Sequence, residues 1–194
     1  MREVALKHHL QRYVSPYLLQ VATDYGEEEP GQLALLFCDL SWAEESATAP
    51  VDVVLHREGR LTRAVSVMLE HGAVVDLPQG DMILAAIHDT TPGQAAQRAV
   101  SAAFELVAAL ARLSHTTGQP DTAGIGVTSI DLGTADKGLV AEALNATALL
   151  QAASGGRVLV DYAVAEALGQ QHHPTEVSGV ELPGTRNHVY EVRP

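Results

Sequence analysis

Two segments decide the fold, 33-LALLFCDL-40 and 71-HGAVVDLPQGDMILAAIH-88. The first is a continuous apolar run, and the second holds two such runs on either side of a Pro-Gln-Gly-Asp turn. Short continuous apolar runs are typical of strands that are covered on both faces. Asp39 follows the first run and Asp81 ends the turn. If these strands pair side by side, both carboxylates reach one edge of the sheet.

This pair of acids permits two interpretations. Two converging carboxylates would suit a hard divalent cation such as Mg²⁺ or Mn²⁺, and hence phosphate chemistry. Alternatively, Asp39 and Asp81 are ordinary strand-end and turn residues, positions where aspartate is common. The pair alone leaves both interpretations open.

The composition is that of a globular chain of one sizeable domain. It has 194 residues and a mass of 20.5 kDa, and 46% of its residues are hydrophobic, so it can bury a full core. The formal charge of -12 argues against nucleic acid or an anionic membrane surface as a partner. Cys38 is the only cysteine, which excludes an intramolecular disulfide and favours a buried packing thiol.

Sequence features also set expectations for location and domain boundaries. No apolar run approaches the roughly 18 residues of a transmembrane helix, and the N-terminal residues lack the apolar core of a signal peptide. We therefore expect a cytoplasmic protein without a membrane partner. A helical lead-in, broken near Pro16, is expected over residues 1–30, followed by one domain over residues 31–194.

Periodicity and turn signals predict the remaining elements. Gly126 lies within a predicted strand and indicates that another backbone comes close. Asp161 is expected to cap a short helix over residues 162–168. The other predicted helices cover residues 59–70, 92–114 and 139–154, and the other strands cover residues 123–132, 157–160, 176–182 and 188–192.

Five motifs resemble those of the class III nucleotidyl cyclases, the catalytic domains of adenylate and guanylate cyclases. Residues 37-FCDL-40 are similar to the family's F-x-D-I signature, and residues 71–81 to its HGGxxxKxxGD hairpin. Residues 144-LNATALL-150 resemble its VNxAxRL helix. Residues 12–16 and 182–192 resemble its lead-in and its closing hairpin. The resemblance implies an α+β domain with a ferredoxin-like-derived, mixed, mainly antiparallel sheet flanked by helices.

The resemblance also implies a site shared between two chains. Family members work as head-to-tail dimers, in which one chain supplies the metal-binding acids and the other supplies an Asn and an Arg. Asp39 and Asp81 match the metal ligands, and Asn145 matches the residue that helps to hold the ribose. A homodimer, or a heterodimer with another cyclase-like chain, and a nucleoside triphosphate are the partners that follow.

Several of the family's functional positions hold other residues here. Leu149 stands where the family has the Arg that stabilises charge on the transferring phosphate. Leu77 replaces the Lys or Glu that contacts the purine base, and Asp136 is the only nearby candidate for the acidic residue that helps to select the base. The Lys of the last hairpin is missing, although Arg186 lies one residue from its position.

These departures favour a degenerate member of the family, a pseudoenzyme that dimerises and binds nucleotide and metal with weak or no turnover. The alternative is an active cyclase, alone or with a complementing chain, that converts ATP or GTP into a 3′,5′-cyclic nucleotide and pyrophosphate. A third hypothesis is a scaffolding module in which even the two acids are vestigial. The sequence leaves enzymatic activity undecided.

Overall fold

The computed structural model describes residues 31–40, 50–77, 81–117, 123–133, 137–182 and 188–194. The predicted lead-in over residues 1–30 lies outside these residues. None of the described helices is both long enough and apolar enough to cross a membrane.

The described chain forms seven strands and four helices. In chain order they are β1 (Gln32–Asp39), α1 (Pro50–Glu70), β2 (Val74–Asp76), β3 (Met82–Asp89), α2 (Gln94–Thr117), β4 (Gly124–Asp131), α3 (Lys137–Ser154), β5 (Val158–Asp161), α4 (Tyr162–Leu168), β6 (Thr175–Val177) and β7 (Val189–Val192).

All seven strands belong to one sheet, in the order β2-β3-β1-β4-β5-β7-β6. Only β4 and β5 pair in parallel, and every other neighbouring pair is antiparallel. The predicted α+β class with a mixed, mainly antiparallel sheet is therefore confirmed.

The strand β1 lies inside the sheet, between β3 and β4. Its alternate side chains point to opposite faces, and both faces are covered. Ala34, Leu36 and Cys38 belong to the core that includes buried residues of α1, α2 and α4. Leu33, Leu35 and Phe37 belong to a second core with buried residues of α3. Burial on both faces explains why this run is apolar throughout.

The helix α3 packs unusually close to β4 at Gly126. A Cβ atom at this position would lie 2.6 Å from the backbone nitrogen of Gln151 and 2.7 Å from Cβ of Leu150, and it would also meet the carbonyl oxygen of Thr147. Only glycine permits this approach without displacement. The predicted close contact of another backbone at Gly126 is confirmed.

Local signals placed most elements well, with two corrections. The Asp161 side chain accepts a hydrogen bond of 3.0 Å from the Val164 backbone N–H, so the predicted cap of α4 is confirmed. The predicted start of α1 at residue 59 is wrong, because the helix begins at Pro50. Proline is well tolerated in the first turn of a helix, and no other described residue crowds the Cβ position of Gly59 within the helix. In the last hairpin, β6 is shorter than predicted and ends at Val177.

Cys38 is buried, as expected. Burial raises the pKa of its thiol well above the ordinary value, and the neighbouring Asp39 carboxylate raises it further. The thiolate is therefore disfavoured, and Cys38 serves as a packing residue.

Candidate functional site

Pairing of β1 with β3 brings Asp39 and Asp81 to the same end of the sheet. Asp39 lies opposite Met82 in the strand register, and the Leu40 backbone N–H donates a 3.0 Å hydrogen bond to the Asp81 carbonyl oxygen. The two acids therefore occupy adjacent positions on neighbouring strands. Their role as metal ligands stays a prediction.

The Asp39 carboxylate lies in an environment that disfavours its charge. Partial burial raises its pKa, and the nearby Asp81 carboxylate raises it further, while the positive charge of Arg60 acts in the opposite direction. Both of the raising effects are expected when two carboxylates approach each other at a partly buried site.

Two arginines of α1 surround the acids. The Arg57 Nε group donates to Oδ1 of Asp81, and the Arg60 Nη2 group donates a 2.7 Å hydrogen bond to the carbonyl oxygen of Leu40. Arg60 is only 1% exposed, whereas the Arg57 side chain is 49% exposed. We call Asp39, Arg57, Arg60 and Asp81 the arginine–aspartate cluster.

The acids of this cluster offer two carboxylates to a metal ion. Among the described residues, no group of three or more His, Cys, Asp and Glu side chains is arranged to hold a metal ion. Mg²⁺ commonly keeps several waters and takes one or two carboxylates together with substrate phosphates. Asp39 and Asp81 supply that minimal set, so the donor set fits Mg²⁺ or Mn²⁺ when phosphate oxygens complete it.

A surface pocket of about 490 Å³ lies beside Asp39. Its other walls come from β4, the end of α3 and the turn that follows α3, namely Gly124, Gln151, Ala152, Ser154, Gly155 and Gly156. The small side chains leave room next to the carboxylate for a ligand.

Asn145 does not line this pocket. The nearest α3 residue of the pocket, Gln151, lies six residues after Asn145, which corresponds to about 9 Å along the helix axis. The Asn145 Oδ1 atom is buried, and no donor from the described residues reaches it. Asn145 therefore lies outside the pocket beside Asp39, and its amide oxygen accepts no hydrogen bond from the part of the chain that the structure describes.

Leu149 lies one turn after Asn145 and is part of an apolar cluster. It packs against a buried group made by α3, β5, β7 and the segment before β7, consisting of Ala146, Leu150, Leu159, Leu182 and Val189. The position is therefore adapted to an apolar side chain in this chain.

Of the three remaining predicted site residues, the structure describes Leu77. Leu77 follows β2 and is 47% exposed, and its backbone N–H donates to the side chain of Asp76 at 2.9 Å. Asp136 and Arg186 lie outside the described residues. Their proposed contacts with a nucleotide stay predictions.

Arg57 and Arg60 were missed by reasoning from the sequence. Their spacing of three residues places them on the same side of a helix, and this helix follows the strand that ends at Asp39. That combination was a usable signal. It did not show, however, which acid or carbonyl group each arginine would contact.

Comparison with solved structures identifies the fold. The adenylyl cyclase CyaB from P. aeruginosa superimposes with a TM-score of 0.70 at 15% sequence identity, over 86% of this chain and 95% of that chain. The guanylate cyclase domain of RhGC from Catenaria anguillulae, in complex with GTP, gives 0.65 at 16% identity over 84% and 96%. A non-canonical dimeric guanylyl cyclase domain of the RhoGC fusion protein from Blastocladiella emersonii gives 0.66 at 16% identity over 84% and 96%.

Sequence comparisons add no closer relationship. No protein-family profile matches the chain, and no curated protein matches it significantly. The structural likeness, together with the confirmed sheet and the order of the elements, shows that the chain has the fold of the class III adenylyl and guanylyl cyclase catalytic domains.

Proposed function

We propose that this chain is a degenerate cyclase-homology domain. It pairs with a second cyclase-like chain, binds a nucleoside triphosphate with Mg²⁺ or Mn²⁺ at Asp39 and Asp81, and turns it over weakly or not at all. Residues 31–194 form the cyclase-homology domain in this proposal, and residues 1–30 precede it as a lead-in. The observation that supports it most is the contrast between the paired carboxylates and the apolar surroundings of Leu149.

Nucleotide and metal binding is supported by the acids and their surroundings. Asp39 and Asp81 would hold the ion, and the pocket beside Asp39 offers space for the rest of the ligand. The bound ion would supply positive charge to the phosphates and assist an attacking hydroxyl. A solved guanylate cyclase domain of the same fold is a complex with GTP, which makes a nucleoside triphosphate the first ligand to test.

Weak turnover follows from the position of Leu149. Phosphoryl transfer depends on positive charge placed where the transition state develops negative charge, and an arginine in such a role contributes on the order of 10³-fold or more to the rate. A leucine side chain has no hydrogen-bond donor. The contacts of Leu149 with its apolar cluster leave the phosphate without this contribution.

Pairing with a second chain is supported by the separation of the site residues. Asn145 lies outside the pocket that contains Asp39, and Asn145 Oδ1 is buried without a hydrogen bond from the described residues. The resemblance to the cyclases implies a site that takes the acids from one chain and Asn145 from another. One solved guanylyl cyclase domain with this fold is a non-canonical dimer, and another is monomeric.

An active cyclase is the alternative supported by the same paired carboxylates. In that case ATP or GTP would become a 3′,5′-cyclic nucleotide and pyrophosphate, with the missing Arg supplied by a complementing chain or by another cation of this chain. The two functions share the ligand and differ in turnover, so binding and activity must be measured separately.

Ligand binding is tested by thermal unfolding of the purified chain with Mn²⁺ and either ATP or GTP. At about a hundred times Kd, a ligand adds about 2.7 kcal/mol of stability, which corresponds to a rise in Tm of about 5–10 °C for a domain of this size. Asp39→Asn keeps the shape of the side chain but weakens the metal site, so its Tm should rise much less. Equal shifts in both proteins would contradict binding at Asp39.

Turnover is tested by measuring cyclic nucleotide formation by the wild-type chain and by Leu149→Arg. The proposal expects little or no product from wild type and slow product formation from Leu149→Arg, because the new side chain can extend past the apolar cluster. Asp39→Asn in the Leu149→Arg background should abolish that activity. Robust wild-type activity that depends on Asp39 would instead establish the active cyclase.

A further inference from the structure

The arginine–aspartate cluster brings guanidinium groups to oxygens at the place where a divalent cation is expected. Arg57 contacts Oδ1 of Asp81, and Arg60 contacts the Leu40 carbonyl oxygen at 2.7 Å. Arg57 and Arg60 lie three residues apart on α1, so both guanidinium groups approach from the same helix face.

The cluster is balanced in formal charge. Two carboxylates carry two negative charges and two guanidinium groups carry two positive charges. Arg60 is almost fully buried, and a buried charge is stable only when it is paired and hydrogen-bonded. The charge of Arg60 acts on Asp39, and its N–H group is bound to Leu40. Arg60 is therefore a fixed part of the cluster.

The Arg57 side chain, unlike that of Arg60, is exposed enough to move away from the acids into water. Its side chain is 49% exposed, against 27% for the Asp81 side chain that it contacts. Arg57 can therefore exchange its contact with Asp81 for water without leaving a buried charge. A divalent ion at Asp81 would need the carboxylate oxygen that Arg57 now contacts, and two cations close to one carboxylate repel each other.

We propose that Arg57 competes with the divalent cation for Asp81. Without metal, Arg57 pairs with Asp81 and keeps the cluster neutral. Metal binding breaks this ion pair and turns the Arg57 side chain toward solvent, so the affinity for metal is set by the displacement of Arg57. This inference rests on the proposed metal site at Asp39 and Asp81.

The test is a titration of the purified chain with Mn²⁺, followed by the electron paramagnetic resonance signal of the free ion. Arg57→Gln removes the competing charge and should bind Mn²⁺ at least about tenfold more tightly than wild type. Adding Asp81→Asn to Arg57→Gln should abolish this binding.

The matched control is Arg63→Gln. Arg63 lies on the same helix but pairs with Glu70 and Glu105 at 3.4 and 3.3 Å, and its substitution changes the net charge by the same amount. The control should bind Mn²⁺ as wild type does. An equal gain in Arg63→Gln and Arg57→Gln would attribute the effect to overall charge and would overturn the proposal.

Two further outcomes distinguish a failure of the proposed Arg57 competition from a failure of the proposed metal site. If wild type and Arg57→Gln bind Mn²⁺ equally and Asp81→Asn removes the binding from both, the metal site stands and the competition is refuted. If neither protein binds Mn²⁺, with or without ATP, the metal site of the proposed function is refuted and the competition falls with it. Far-UV circular dichroism and the Tm of each variant show whether the fold is kept.

Discussion

Gly126→Ala tests the placement of α3 against the sheet. The added Cβ would lie 2.6 Å from the backbone nitrogen of Gln151 and 2.7 Å from Cβ of Leu150, and it would also meet the carbonyl oxygen of Thr147. Ordinary contacts between such atoms are about 3.5–4.0 Å. Two of these atoms belong to the helix backbone, so the strain cannot be relieved by rotating a side chain.

The expected loss of stability combines two opposing effects. Overpacking of a well-packed interior costs about 1–3 kcal/mol, and the upper end applies here because α3 itself must move by about 1 Å to restore contacts of that length. Replacing glycine by alanine also reduces the entropy of the unfolded chain, which contributes about 0.4–1 kcal/mol in the other direction. The net loss is then about 2–2.6 kcal/mol, or roughly 4–10 °C in Tm for a domain of this size.

The assay is urea unfolding followed by circular dichroism, with Gly59→Ala as the matched control. Among the described residues, a Cβ atom at Gly59 has no neighbour within 4 Å outside the backbone of its own helix, and Gly59 lies inside α1. The control substitution should therefore stabilise the chain by about 0.5–1 kcal/mol, because alanine favours the helical backbone more than glycine does.

The two substitutions are chemically identical, so their opposite signs would isolate the packing of α3. If Gly126→Ala were as stable as wild type or more stable, α3 could not lie this close to β4. The placement of Asn145 and Leu149 relative to the sheet would then be wrong as well. If both variants lost a similar amount of unfolding free energy, the cause would be a general effect of replacing glycine by alanine. That result would also contradict the close packing of α3 on β4.

Two further predictions concern local hydrogen bonds. Asp161→Ala removes the acceptor for the Val164 backbone N–H. It should lower the free energy of unfolding by about 1–2 kcal/mol with an unchanged denaturant m-value. Asp161→Asn keeps a side-chain acceptor and should retain much of the stability that Asp161→Ala loses. The Thr91 backbone N–H and then Arg98 hold the pKa of Asp89 below its ordinary value, so Asp89 adds stability above about pH 4 that is lost as the pH falls through its lower folded pKa. The difference in unfolding free energy between wild type and Asp89→Asn should therefore narrow on acidification, and a gap that widens would contradict the assignment.

The features that sequence predicted well are those with local causes. The apolar run of β1 predicts burial on both faces because successive side chains of a strand point to opposite faces. An unbroken apolar run therefore needs a core on each face of the sheet. Gly126 predicts a close backbone because glycine alone lacks a Cβ, and Asp161 predicts a cap because its side chain reaches an N–H group within one turn. Each of these signals depends on a few neighbouring residues.

The features that sequence did not predict depend on contacts between distant segments. Arg57 meets Asp81 across 24 positions of the chain, and Arg60 meets Leu40 across 20. Neither partner follows from the spacing of the arginines, because the packing of α1 on the sheet selects them. The apolar surroundings of Leu149 also come from several segments, including β5 and β7. The sequence showed that a leucine stands at the family's arginine position, but it did not show what Leu149 packs against.

The positions of the positive charges bear on both parts of the proposed function, the weak turnover and the binding of metal. Leu149 is fixed in an apolar cluster and supplies no cation, whereas Arg57 and Arg60 place two guanidinium groups at the acids. Two carboxylates at neighbouring positions would repel each other in a chain that depends on a metal to neutralise them. Here Arg57 contacts Asp81 and the positive charge of Arg60 acts on Asp39, so the chain itself supplies neutralising charge at both acids. In the proposed competition, a divalent ion at Asp81 would have to displace Arg57, so the affinity for metal would depend on the contact between Arg57 and Asp81.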